Sequence, residues 1–124
     1  MALFFLAQTR LVDIALKHPN ADPARVAVTG FSGGGWQTIL ISSMDPRIAA
    51  AAPVAGYSSF VTRTQFPELD LGDSEQTAVD IGQYVDYTHF TAMLAPRPSL
   101  LMYNASDSCC FRADYALSPL LKAA

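Results

Sequence analysis

The stretch that most constrains the fold is Arg25 to Trp36, Arg-Val-Ala-Val-Thr-Gly-Phe-Ser-Gly-Gly-Gly-Trp. Arg25 to Gly30 is a short apolar run closed by glycine, the pattern of a buried parallel strand. Trp36 to Met44 is compatible with a helix despite its β-branched residues, and Asp45-Pro46-Arg47 stops it. Between them Gly30-Phe31-Ser32-Gly33-Gly34 fits G-x-S-x-G in the setting that motif requires, a strand before and a helix just after. A serine on so tight a turn adopts strained backbone angles and crowds the positions two before and two after it. Gly30 and Gly34 therefore have a steric reason to lack side chains. The turn lifts the Ser32 Oγ above the carboxyl edge of the sheet, and the Gly33 N–H, at the positive end of the helix, points at a developing oxyanion. Ser32 is the expected nucleophile of an acyl transfer.

Other chemistries use similar glycines. A phosphate-cradling G-x-x-x-x-G-K-[ST] loop aligns on Gly30 and Gly35 but needs a lysine where Trp36 stands. A dinucleotide turn of the T-G-x-x-x-G-x-G kind also fails at Trp36, and the next strand ends in Pro53-Val54-Ala55-Gly56 with no acid for a ribose. A glycine-rich turn with an incidental serine stays open.

Around this turn, Leu3, Leu6, Ala7, Leu11, Ile14 and Ala15 recur at helical spacing and predict an amphipathic helix from about Leu3 to Lys17, ended by His18-Pro19-Asn20. A second strand is predicted at about Ala50 to Ala55. Tyr57 to Val79 has no clear period and reads as a long loop or insertion, its acids Glu68, Asp70, Asp73 and Glu75 set against a single Arg63. That balance would disfavour anionic substrates. Asp80 to Leu94 returns to a helical pattern through Ile81, Tyr84, Val85, Phe90 and Met93, and Ser99 to Asn104 is a third apolar strand. Three buried-type strands separated by helices imply a parallel sheet, hence an α/β fold in a single domain over 1–124.

Net charge is −3 and charged residues are only 15% of the 124, so a basic nucleic-acid surface is not expected. A mean hydropathy of +0.22 with so little charge is unusual for so small a sphere. Part of the surface is expected to be covered by something outside this sequence, which makes the chain a fragment. No apolar run reaches the roughly 18 residues of a spanning helix, so no membrane partner is expected. Compartment and oligomeric state stay open.

The stretches Arg25 to Tyr57 and Ala95 to Phe111 resemble the α/β-hydrolase superfamily, most closely its acetylxylan-esterase-like and dienelactone-hydrolase-like serine esterases. The resemblance implies a partial α/β-hydrolase fold, with three parallel strands equivalent to strands five, six and seven, and an insertion at 57–79 above the site. Such enzymes order their triad Ser, then Asp or Glu, then His. Asp107, three residues beyond the third strand, falls at the place of the family's acid, where it would orient an imidazole. An Asx-turn role is its structural alternative, and Asp114 is the second choice of acid.

A histidine should follow that acid, yet none does before Ala124. His18 reads as a solvated residue at a helix end and His89 as a helix residue packed on the sheet. The vicinal Cys109-Cys110 pair reads as two reduced thiols, with a strained vicinal disulfide as the alternative. No His or Cys pair other than these cysteines stands at ligand spacing, and neither metal nor organic cofactor is expected. The expected function is that of a fragment of a serine hydrolase cleaving small acyl or acetyl esters through an acyl-enzyme on Ser32, its partner a small-molecule ester. A prolyl-oligopeptidase-type serine peptidase and a non-catalytic binding module with an incomplete triad are the alternatives.

Overall fold

The computed structural model describes residues 1–56, 59–60 and 80–106. Helix α1 (Ala2–Ala15), strand β1 (Ala27–Phe31), helix α2 (Gly33–Met44), strand β2 (Ala50–Val54), a 3-10 turn at Ile81–Gln83 and helix α3 (Tyr87–Ala92) follow in order. β1 and β2 are parallel, with Ala27 opposite Ala50 and Phe31 opposite Val54. α2 is the crossover that joins them.

Among the described residues the sheet has two strands, and the third expected at Ser99 to Asn104 is instead a parallel segment bridged to β2 with one rung missing. β2 meets it through its odd-numbered residues. Ala51 N–H donates to the Pro98 carbonyl, Leu100 N–H to Ala51, Met102 N–H to Pro53 and Ala55 N–H to Met102. The rung due from residue 53 to Leu100 cannot form because proline has no N–H. What is left is a pair of isolated parallel bridges, Ala51 with Ser99 and Val54 with Met102.

The core forms where α2 lies on the sheet. Trp36, Ile39 and Leu40 pack with Ala51 of β2 and with Tyr87, Phe90 and Leu94 from α3 and its exit, and each large apolar side chain so buried contributes about 1.5–3 kcal/mol. α2 also buries Thr38, Ser42 and Ser43. Their hydroxyls donate to the carbonyls of Gly34 at 2.7 Å, Thr38 at 2.7 Å and Leu40 at 3.0 Å, so none of the three is stranded. The sheet is less enclosed than its apolar runs imply: Ala27, Thr29 and Phe31 are exposed and alternate with half-buried Val28 and Gly30. Among the described residues the helices cover one face.

Two helical expectations need correction. α1 forms, but Leu3, Leu6, Leu11 and Ile14 of its apolar stripe point outward, at 57–81% exposure. Its inward side is held by specific contacts. Phe4 meets Trp36 edge-on at 5.3 Å, Gln8 Nε2 donates to Gln37 Oε1 at 2.8 Å, and Arg47 Nη1 reaches Asp13 Oδ1 at 2.6 Å. The guanidinium also grips the buried Asp45 carboxylate, Nε donating to Oδ1 at 2.9 Å, and this holds both carboxyls below their usual range. The second correction concerns 80–94, which is not one helix. The 3-10 turn is capped at Tyr84, and Asp86, extended at φ −122° and ψ 170°, caps α3 afresh, with Tyr84 and Met93 exposed while Tyr87, Phe90 and Leu94 turn inward.

Candidate active site

Ser32 joins β1 to α2 with φ 56° and ψ −120°, backbone angles that an L-residue rarely adopts. Its N–H donates to the Val54 carbonyl at 2.9 Å and its own carbonyl accepts from Trp36 N–H at 3.0 Å. The residue therefore ends the sheet ladder on one side and begins the helix on the other. It is exposed, and its hydroxyl is not spent on capping α2.

The sharpness of the turn explains the glycines. A Cβ at Gly30 would come within 3.0 Å of the Gly34 carbonyl, a contact no side-chain adjustment could relieve. Of the two outer glycines of the motif, position 30 is the one crowded by the described residues. Gly34, expected to be barred from carrying a side chain, has no atom of the described residues within 4 Å of where its Cβ would lie. The same holds for Gly33. Its expected role lies in its backbone: it is the first residue of α2, where an N–H has no acceptor within the helix.

A second glycine contact has no counterpart in the motif. A Cβ on Gly35 would fall 2.5 Å from the Val54 carbonyl oxygen and 2.9 Å from Gly56 Cα, and one on Gly56 would strike Gly35 and the Trp36 nitrogen. Ala55 between them has φ 45°, and among the described residues it and Ser32 are the two non-glycine residues at positive φ. The one sequence signal for this turn is a glycine closing the second apolar run. Trp36, which rules out a phosphate loop in the sequence, is a core residue 1% exposed.

Asp107, Asp114, Cys109, Cys110, Arg63 and most of the expected insertion lie outside the described residues. The described chain ahead of Asp107 ends at residue 106. The bridge from Val54 to Met102 brings the third segment out on the carboxyl edge that carries Ser32, and Asn104 follows it half-buried. Both histidines engage Nδ1 with backbone N–H groups: His18 accepts from Asn20 at 3.2 Å, and His89 accepts from Asp86 at 2.8 Å in the capping box of α3. Among the described residues neither is hydrogen-bonded to Ser32. No group of three or more potential ligands able to hold a metal occurs among the described residues, and none of their helices is long and apolar enough to cross a membrane.

The chain is similar in sequence and fold to known proteins. A 4-O-methyl-glucuronoyl methylesterase from Wolfiporia cocos is 30% identical over 80% of the chain and 30% of its own length. Among solved structures, acylaminoacyl peptidase from Pyrococcus horikoshii superposes with a TM-score of 0.72 at 22% identity, over 96% of this chain and 21% of its own. Acetyl xylan esterase 1 from Thermoanaerobacterium sp. JW/SL YS485 superposes with a TM-score of 0.61 at 21% identity, over 96% of this chain and 42% of its own. The chain thus spans less than half the length of each, and its fold is part of the α/β-hydrolase fold. Residues 2–96 match the acetyl xylan esterase (AXE1) family, so the chain belongs to that family.

Proposed function

We propose that this chain carries the nucleophile of a serine carboxyl-ester hydrolase acting on small acyl esters, with acetyl groups on carbohydrate as the preferred class. The observation that carries this reading is the conformation of Ser32: φ 56° between a parallel strand and a helix, exposed, with its hydroxyl not engaged in capping. A base removes the Oγ proton as Oγ attacks the ester carbonyl. The Gly33 N–H, aided by the positive end of α2, donates a hydrogen bond to the carbonyl oxygen as negative charge builds on it. Collapse expels the alcohol and leaves an acyl-serine, which water cleaves by the same route. Asp107 serves as the acid that orients the imidazole. His18 and His89 each hold Nδ1 on a backbone N–H and, among the described residues, neither is hydrogen-bonded to Ser32, so this reading assigns that imidazole to neither. Family membership and the methylesterase relative support ester chemistry.

The test is covalent labelling of the full-length protein carrying this sequence by a fluorophosphonate, together with turnover of an activated acetyl ester and of an acylated peptide. Labelling and acetyl-ester turnover should vanish in Ser32→Ala, and Asp107→Asn should lower turnover by about 10⁴-fold with the fold intact. Labelling that survives Ser32→Ala refutes the assignment, and peptide turnover exceeding ester turnover moves the enzyme to the peptidase class.

A further inference from the structure

The turn Val54–Ala55–Gly56, at the end of β2, lies outside the serine motif and yet is built against it. We propose that Ala55 and Gly56 are positioning residues for the acyl-transfer site. On this proposal, which rests on Ser32 being the nucleophile, their turn fixes the angle at which the chain leaves β1 for α2. It thereby sets where the Ser32 Oγ and the Gly33 N–H stand relative to one another.

The hydrogen bonds place the turn between the two parts of the site. On one side the Val54 carbonyl accepts the Ser32 N–H at 2.9 Å, and on the other the Ala55 N–H donates to the Met102 carbonyl at 2.7 Å. The Met102 segment is the one that runs on toward Asp107. A single turn thus ties the serine to the approach of the expected acid. Backbone conformation gives an independent indication. Ala55 is 2% exposed and holds φ 45°, a strained conformation for an alanine that persists only where its surroundings over-determine it.

The third observation is contact of backbone on backbone. Position 35 cannot carry a Cβ because the Val54 carbonyl oxygen would stand 2.5 Å away, and position 56 cannot because Gly35 and the Trp36 nitrogen would be nearer still. With no side chain in between, neither partner can yield by changing rotamer. An added methyl group must tilt the first turn of α2, and the Gly33 N–H moves with it. Misplacement by about 1 Å in such a constellation costs roughly 10²-fold in rate.

The experiment uses the full-length protein and follows the fluorophosphonate labelling rate, with the labelled residue located by mass spectrometry. Acetyl-ester kcat, KM and thermal midpoint are measured alongside. Gly56→Ala should slow labelling and kcat by about 10–100-fold with KM within about twofold, since chemistry and not binding is displaced. Should Gly56→Ala fail to fold, substitutions at 55 decide. Glycine takes positive φ freely and valine does not, so rates should run Ala55→Gly at or above the parent and Ala55→Val at least about tenfold below it. Folded variants that melt earlier but label Ser32 at the parent rate would show a merely structural turn and overturn the proposal. Absence of Ser32-dependent labelling in the unsubstituted protein would instead overturn the nucleophile reading, and the positioning role would fall with it.

Discussion

Replacing Trp36 by phenylalanine sets two opposing effects against each other, and the structure says how nearly they cancel. The indole is 1% exposed and packs edge-on against Phe4 at 5.3 Å. Among the described residues its buried Nε1–H has no hydrogen-bond partner. Trimming indole to phenyl leaves a deficit of about 40 Å³, which at ~24 cal/mol per Å³ costs roughly 1 kcal/mol. Withdrawing about two ring carbons from the core costs about another 1.5 kcal/mol. In the opposite direction, a desolvated donor left unmatched costs about 1–3 kcal/mol, and phenylalanine has no such donor. The net change lies between a loss of about 1.5 kcal/mol and a gain of about 0.5 kcal/mol, against a loss of about 3–5 kcal/mol for Trp36→Ala, where the cavity dominates. Thermal unfolding of the two variants beside the parent should show Trp36→Phe within about 6 °C and Trp36→Ala far below. A Trp36→Phe loss approaching that of alanine would mean that the indole N–H is satisfied in solution and that the reasoning is wrong.

Two further outcomes follow from the geometry. Gly30→Ala should cost about 1–3 kcal/mol through overpacking against the Gly34 carbonyl and should slow Ser32 labelling as well; an unchanged melting midpoint in differential scanning calorimetry would contradict so close an approach of the two backbones. The pH dependence follows from Asp13 and Asp45, whose carboxyls Arg47 holds below their usual range, chiefly through its side-chain hydrogen bonds. A folded-state pKa lower than the unfolded one contributes stability that is fully present above about pH 4 and lost as pH falls through the folded value. The thermal midpoint of the parent should therefore drop below about pH 4, with a shallower drop in Arg47→Met; parallel acid profiles would deny the ion pairs that role.

What was legible in the sequence was local. The strand, turn and helix around Ser32 follow from periodicity and glycine placement within about a dozen residues, and α2 begins at Gly33 because the turn leaves it nowhere else to start. Orientation was less legible because it depends on distant partners. The apolar stripe of α1 faces outward since Gln8 answers Gln37 and Asp13 answers Arg47, partners 29 and 34 residues away. Pro53 was visible in the sequence, but its consequence needed the register, for only an odd-numbered residue of β2 owes an N–H to the third segment. Asp86 carried a local signal that helical periodicity overrode: an aspartate three residues before His89 can open a capping box, and it splits the expected helix in two.

The same distinction explains why the positioning turn escapes motif reading. G-x-S-x-G records sterics within five consecutive residues, whereas Gly35 and Gly56 exclude side chains for each other's sake across 21 positions. In a parallel sheet the ends of β1, β2 and the Met102 segment reach one edge regardless of their separation in sequence, which is why sites in such folds gather there. Here the three ends are joined by main-chain bonds: Ser32 to Val54 and Ala55 to Met102. A site held together by carbonyls and N–H groups places its sequence demands on absence, on where a Cβ may not stand. Substitutions that add atoms at 30, 35 or 56 should therefore do more harm to the serine's chemistry than substitutions that remove atoms from the outward face of α1, although that face holds Leu3, Leu6, Leu11 and Ile14.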